Sequence, residues 1–525
     1  MAKTNKIILT ILDGFGLQSS SEGNAIYLAN PEFLNFAASK YPSSAIYASG
    51  PFAGLPWGEP GNSEVGHTTL GTGRIVEQHL SIISRSIKNG NFFKNKVLLE
   101  AINHVKKYNS RFHIVGMMSP GGIHSYDEHG LALVELAKRN GIDNVFIHMF
   151  ADGEDMPKDS GLQIIDKMEK RLKDIGIGSI STVIGRDLAM DRIEDWDKTE
   201  QTFKLMVYGE GKQYTTAREI FEINYKNNIF DQDIPPSVIK SPPGQFISDT
   251  DSVIFINYRP ERIAQIAQFF DENELKKIRP NLELPSNLFV ATMTEYKKNL
   301  KFPVISDIGE VKNTLGEILN LNNISQLRIA EKEKFAHVTT FFNAGLIQYP
   351  NEQRICIDSQ KKNGTDYNEN PEMSAEKIAE TVIKEMDNYN VIVVNFANAD
   401  MLGHSGNLES AKKGIQAIDK ALRKIYSASI KKDCIFIITA DHGNAEEMIN
   451  LKTKENDTKH STNPILLLFI SKDLKNKEDI KGLIDLAIKN PVGTLSDIAP
   501  TILEILGIKK PEEMTGASLY RMITK

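Results

Sequence analysis

Seven short apolar runs, none alternating with polar residues, restrict this chain more than any other feature. They are KIILTIL (6–12), RFHIVGMM (111–118), NVFIHMF (144–150), SVIFINY (252–258), VIVVNF (391–396), CIFIITA (434–440) and PILLLFI (464–470). A strand that is apolar along its whole length must be covered on both faces, as in a parallel sheet layered between helices. Helix-like stretches lie between the runs, among them LALVELAKRNG (131–141) and SAEKIAETVIKEMDNY (374–389). In the second, Ile378, Val382, Ile383 and Met386 recur at helical spacing. Alternating strand and helix signals predict an α/β fold. A chain of 525 residues exceeds one ordinary core, so two domains are expected. The stretches 233–246 and 271–286 read as surface connections, and 350–372 as a long polar loop.

A formal net charge of −6 argues against a general nucleic-acid binder. No run approaches the ~18 apolar residues of a membrane helix. The N-terminal run stops at Asp13-Gly14 without a small-residue cleavage site, so it does not read as a signal peptide. Cys356 and Cys434 both sit in apolar, strand-like surroundings and read as buried packing residues of a reducing compartment. These features predict a cytoplasmic protein with no membrane or nucleic-acid partner.

Several runs lead directly into ionisable residues. The first delivers Asp13. VIVVNFANAD delivers Asp400, with His404 four residues on. CIFIITA delivers Asp441 and His442, and KHSTNP presents His460 just before another run. Ligands of open parallel sheets bind beyond the carboxyl ends of the strands. One helical turn would put Asp400 and His404 on one face, whereas the adjacent Asp441 and His442 are expected to diverge. Three Asp and three His in such places make a hard-to-borderline donor set suited to Mn²⁺ or Zn²⁺. Without a cation, three clustered carboxylates would repel one another. If these residues share one site, residues 1–78 and 306–525 fold together, and 79–305 form an inserted domain. That middle region has its own polar signature: His124 in GGIHS, Asp155 in DGED, Arg186 and Arg192 in GRDLAMDR, and Arg259 and Arg262 in NYRPER. Convergent arginines suit a phosphate or a carboxylate.

Taken with GNSEVGH (61–67), EKEKFAHVTTFFN (331–343), ADHGNAE (440–446) and the tail LSDIAPTILEILGIKKPEEMTGASL, these motifs run in one order over nearly the whole chain. In that order they resemble the cofactor-independent phosphoglycerate mutases. The resemblance implies an alkaline-phosphatase-like domain interrupted by a phosphotransferase, substrate-binding domain. It implies interconversion of 3-phosphoglycerate and 2-phosphoglycerate through a phosphoserine, by a monomer using two divalent cations, usually Mn²⁺ with Mg²⁺ or Zn²⁺ as alternatives, and no 2,3-bisphosphoglycerate. Carried over motif by motif, Ser63 is the nucleophile. Asp400, His404 and His460 hold one metal, and Asp13, Ser63, Asp441 and His442 the other. His124, Glu154, Asp155, Arg186, Arg192, Arg259, Arg262 and Lys334 fall at substrate-contacting positions, with Asp155 as general base and acid and Lys334 offsetting phosphoryl charge. A metal-dependent phosphatase or another phosphotransferase on the same scaffold remains open from the catalytic cluster alone. A binding protein that has lost catalysis is disfavoured, because every metal-site position is present.

The chain departs from the family at three places. The family reads D-G-R-D-x-P-P where this chain has DGEDMPK, so Glu154 stands in place of an arginine. Two unit charges ~4 Å apart interact by roughly 4 kcal/mol at an effective dielectric near 20, so such a reversal needs an answer. Lys158, four residues on, is the expected partner of Glu154. Pro120 and Pro60 are the other departures.

Overall fold

The computed structural model describes residues 6–240, 244–307, 309, 311–345, 347–359, 367–450, 453–476 and 480–524. They divide into two compact units, one of residues 1–78 with 310–525, the other of the intervening 79–309. The strands are β1 (Ile7–Leu12), β2 (Ser43–Ile46), β3 (Phe112–Met117), β4 (Val145–Ala151), β5 (Ser179–Gly185), β6 (Lys212–Tyr214), β7 (Ser237–Ile239), β8 (Ser252–Phe255), β9 (Phe289–Thr292), β10 (Gln326–Glu331), β11 (Glu352–Ile357), β12 (Val391–Phe396), β13 (Ile435–Ala440) and β14 (Ile465–Ile470).

In the discontinuous unit the sheet order is β11-β10-β12-β1-β13-β14-β2. The strands from β11 through β13 run parallel, and β14 pairs antiparallel with both β13 and β2. All six residues of β1 are buried, because the strand lies inside the sheet between β12 and β13. The helix Leu408–Lys431 buries Ile415, Ile418, Leu422 and Ile425 at helical spacing in the same core.

In the inserted unit the order is β6-β7-β5-β4-β3-β8-β9, with β5 through β9 parallel. Two separate apolar clusters belong to this sheet. Ile114, Ile147 and Ile254 lie in one, and Val115, Phe150 and Phe255 in the other. Successive residues of one strand thus enter different cores, which is why these strands read as unbroken apolar runs.

Each of the seven runs forms a strand, and the chain is α/β with two mainly parallel sheets. The three supposed connections are only partly so. β11 lies inside 350–372; it is an edge strand paired to β10 alone, which tolerates the exposed Gln353 and half-buried Arg354. Residues 360–366 of that stretch lie outside the described residues. The stretch 233–246 contains the buried β7, and its residues 241–243 lie outside the described residues. The stretch 271–286 contains a helix, Glu272–Ile278, begun by Asp271, whose side chain accepts from the amides of Asn273 and Glu274. Cys434 is buried as expected, but Cys356 is exposed, because it sits on the edge strand. Among the described residues no helix is long and apolar enough to cross a membrane.

One fully buried polar chain crosses the inserted sheet. The Asp251 carboxylate can only accept, so His113 donates to it through Nε2–H at 3.1 Å. His113 Nδ1 then accepts from His148 Nε2–H at 3.0 Å, and His148 Nδ1 accepts from the Thr182 hydroxyl at 2.9 Å. Burial holds both imidazoles below their ordinary value of 6.5, His148 well below. Both are therefore neutral when folded and protonate more readily when unfolded. Their contribution to stability is complete above pH 6.5 and is lost as pH falls below it, by up to about 1.4 kcal/mol per pH unit for each histidine. The thermal midpoint measured from pH 7.5 to 5 should fall more steeply for the wild-type protein than for His148→Gln; equal slopes would contradict this assignment.

Candidate active site

The carboxyl ends of three neighbouring parallel strands build the site of the discontinuous unit. β1 ends at Asp13. β12 runs into the short helix Asn398–Gly403, which carries Asp400 and is followed by His404. β13 ends at Asp441 and His442. His460 arrives by a different route: β14 is antiparallel to β13, so the residues just before it lie at the same edge. Gly14, at φ 71°, permits the close approach of the β1 and β12 ends, since a Cβ there would lie 2.7 Å from Asp400 Cα.

Ser63 is the first residue of the helix Ser63–Thr72, and the N-cap is Asn62, whose side chain accepts from the Val65 amide at 3.0 Å. The capping task therefore falls to Asn62 and leaves the Ser63 hydroxyl for other partners. Its Oγ lies 3.0 Å from Asp13 Oδ1 and 2.9 Å from His442 Nε2, and it accepts from the Lys334 ammonium at 2.7 Å. Lys334 also donates to Asp13 Oδ1 at 2.7 Å and to Asp400 Oδ2 at 2.6 Å. Although burial opposes its charge, Asp13, Asp400 and Asp441 hold the Lys334 ammonium above its ordinary value. Burial, with the Asp441 carboxylate next to it, raises Asp13. Against burial, the Lys334 ammonium above all holds Asp400 well below the usual carboxylate range.

The donor set fits divalent cations on three observations. His404 Nδ1 faces the Thr458 carbonyl at 2.8 Å and His460 Nδ1 the Gly61 carbonyl at 2.8 Å, so both rings spend their N–H on the backbone. Their Nε2 atoms consequently meet lone pair to lone pair at 3.1 Å, each within 3.3 Å of Asp400 Oδ1. Third, Asp441 Oδ2 is buried without a hydrogen-bond partner. Asp400, His442 and His460 bring ligand atoms within 4.8 Å of one another, and so do Asp13, His67 and Asp441. Asp441 and His442 fall in different ligand groups, as their adjacency suggested, yet Asp441 Oδ2 lies only 3.4 Å from His442 Nε2.

Four residues of this centre escaped sequence reasoning. His67 sits one turn into the Ser63 helix, donating through Nδ1 to the Ser63 carbonyl at 2.9 Å and accepting at Nε2 from Asn395 at 3.1 Å. Asn395 also donates to Asp13 Oδ2 at 2.7 Å, which fixes its amide orientation and with it the His67 tautomer. Asn444 donates to Asp400 Oδ1 at 2.9 Å. Glu446, fully buried, accepts from the amides of Gly16 and Asn444 at 2.9 Å each, from Asn463 at 3.0 Å and from the Ser461 hydroxyl. It thereby ties the loops that follow β1 and β13 to the loop that precedes β14. All four lie in stretches already quoted, but as polar letters without a stated task.

The inserted unit carries a second constellation, again at the carboxyl ends of parallel strands. Asp152, just past β4, accepts through Oδ1 from the amides of Glu154 and Asp155 at 3.2 and 2.9 Å and from Arg186 at 2.8 Å, a tight Asx turn that sequence reasoning did not single out. Arg186, at the end of β5, is 1% exposed and also lies 3.1 Å from Asp155. Burial, reinforced by the Asp152 carboxylate, raises Asp155 above the ordinary carboxylate value. Burial and then Arg186, Arg259 and Arg262 push His124 down to about 3, so it is neutral at physiological pH. His124 lies 3.9 Å from Asp155, and Arg259 pairs with Glu261 at 3.0 Å. Arg192 is exposed, beyond the short helix Arg186–Ala189. Glu154 does not pair with Lys158. It lies 3.2 Å from Arg186 and 3.7 Å from Arg262, whereas the Lys158 ammonium stands over the Phe230 ring at 4.0 Å. A ring face competes well for an exposed lysine, and the nearer arginines answer the Glu154 charge. Nothing in the structure explains Pro60 or Pro120.

Residues 83–298 match the family model described as BPG-independent PGAM N-terminus. The 2,3-bisphosphoglycerate-independent phosphoglycerate mutase of Clostridium kluyveri is 43% identical over 523 residues, covering 98% of this chain and 99% of the relative. That of Acetivibrio thermocellus is 41% identical over 524 residues, covering 98% and 99%. Among solved structures, the Leishmania mexicana phosphoglycerate mutase, determined at low cobalt concentration, aligns with a TM-score of 0.73 at 25% identity, covering 98% of this chain and 97% of that one. Near-complete coverage at such identity leaves one assignment: the chain belongs to the 2,3-bisphosphoglycerate-independent phosphoglycerate mutase family.

Proposed function

We propose that this protein is an isomerase that interconverts 3-phosphoglycerate and 2-phosphoglycerate through a phosphoserine at Ser63. The observation that carries the reading is the position of the Ser63 hydroxyl at a helix start, between Asp13, His442 and the Lys334 ammonium. Family membership supports the same activity.

Ser63 Oγ, already deprotonated, attacks phosphorus as the alkoxide to which it later returns, the bond from phosphorus to the glycerate oxygen breaks, and that oxygen takes a proton from Asp155. The other glycerate hydroxyl then returns a proton to Asp155 and attacks the phosphoserine, and Ser63 leaves. A raised Asp155 suits a group that must both give and take a proton near neutral pH. The first backbone N–H groups of the Ser63 helix point outward without helical partners and receive phosphate oxygens. Lys334 offsets the charge that gathers on the phosphoryl oxygens. Asp400, His404 and His460 would hold one divalent ion and Asp13, Ser63, Asp441 and His442 the other; when bound, such ions favour the serine alkoxide and neutralise phosphate charge. Mixed carboxylate and imidazole donors suit Mn²⁺ or Zn²⁺, and of the two the family resemblance points to Mn²⁺. A monomer in the cytoplasm completes the reading.

The test is to incubate the Mn²⁺-loaded protein with 3-phosphoglycerate and follow 2-phosphoglycerate against free phosphate. Isomer without stoichiometric phosphate is expected. Phosphate without isomer would make the protein a phosphatase on this scaffold.

A further inference from the structure

The arginine cradle of the inserted unit already contains a carboxylate of the chain's own. Glu154 Oε2 lies 3.2 Å from Arg186 Nε and 3.7 Å from Arg262 Nη2, and its side chain is half exposed. The contact is one of charge and not of hydrogen bonding: Arg186 Nε, though buried, has no hydrogen-bond partner. His124 Nδ1, also buried, makes no hydrogen bond and lies 3.6 Å from Glu261 Oε1, whereas Asp155 Oδ2 faces the Arg186 guanidinium at 3.1 Å. Arg186 is 1% and His124 5% exposed, so neither can satisfy these atoms with bulk water. A buried guanidinium donor left without a hydrogen bond beside a loosely held glutamate describes a place made for an anion and provisionally filled by a poorer one. The anchoring also differs. Asp152 accepts three hydrogen bonds through one oxygen and takes the Ser119 hydroxyl at 2.5 Å on the other, so it is fixed. Glu154 is on the solvent side of the same turn and can swing away.

We propose that Glu154 is a built-in occupant of the arginine cradle, a specificity-determining residue whose carboxylate the substrate's anionic group must displace, so that it sets KM. This rests on the mutase reading above and deepens it. Displacement frees Arg262, whereas Arg186 keeps Asp152 and Asp155. An occupant of this kind penalises every anion that cannot repay two arginine contacts and leaves least disadvantaged a ligand that presents a carboxylate and a hydroxyl together.

The test uses the full-length chain in two states. In the metal-stripped protein, where turnover is stopped, titration calorimetry with 3-phosphoglycerate gives the dissociation constant directly. Because Glu154 is half exposed and its two ion pairs are screened, Glu154→Gln should tighten binding by about tenfold, and Glu154→Ala by a similar factor. In the Mn²⁺-loaded protein the same variants should lower KM by that factor with kcat changed less than twofold. A merely structural role for Glu154 would instead weaken binding in both variants. If the wild-type protein binds and isomerises 3-phosphoglycerate but neither variant binds it more tightly, the proposal is overturned and the mutase reading stands. If the wild-type protein neither binds nor isomerises it, both are overturned.

Discussion

Ser63→Ala is expected to lower kcat for isomerisation by at least about 10⁴-fold, the scale on which a lost nucleophile is felt. The reason is stoichiometric. No other hydroxyl is gripped by Lys334, Asp13 and His442 together among the described residues, so phosphorus has no alternative acceptor. The fold should survive, because the cap of the Ser63 helix is Asn62 and alanine is a good residue for a first helical turn. A thermal midpoint close to wild type, together with the loss of a phosphorylated Ser63 peptide in quenched reaction mixtures, would separate chemistry from folding. Retention of more than a hundredth of the wild-type rate would remove the phosphoserine from the mechanism.

Lys334→Met should damage both stability and rate. Its ammonium, buried, is the cation that Asp13 and Asp400 share at 2.7 and 2.6 Å. Removing one partner of a buried ion pair leaves the other uncompensated, typically at a cost of 3–5 kcal/mol. In the metal-stripped variant the urea midpoint should fall accordingly, and added Mn²⁺ should restore part of the loss, since carboxylates without an ammonium still accept a divalent ion. In the loaded enzyme, losing one positioned charge on the phosphoryl oxygens is expected to cost about 10²–10³ in kcat. A metal-stripped variant as stable as wild type would mean that the two aspartates are held apart by something other than Lys334.

How much of this was legible in the sequence depends on burial by apolar residues: β2 (SSAI) and β10 (QLRIAE) are buried throughout, but their polar residues broke the pattern. β1, β3, β4, β8, β12, β13 and β14 are covered on both faces and wrote themselves as apolar runs, whereas β6 has two exposed residues of three and β11 an exposed edge, and neither left such a trace. The strand ends predicted where Asp13, Asp400 and Asp441 would be, because a side chain at the end of a buried strand has one direction to go. Side-chain pairing was much less accessible. Spacing alone favoured Lys158 for Glu154, but the two arginines that meet it are 32 and 108 positions away in the chain and are set beside it by the ends of β5 and β8. Adjacency did place Asp441 and His442 in different ligand groups, but not how near their tips would be. The second rank of the site, His67, Asn395 and Glu446, acts through hydrogen bonds to backbone and to other ligands, which have no periodicity to detect.

The place of β1 also bears on the order in which the protein is made. Ile7 finds its neighbours at Val391 and Ile435, so β1 waits for partners translated long after it. The contiguous stretch from 79 to 309 forms its own compact unit, and such a unit can condense while the rest is still being translated. Until then the apolar face of β1 has no companion, and a nascent chain stalled before residue 391 should be a client for chaperones, with its N-terminal strand as the sticky end.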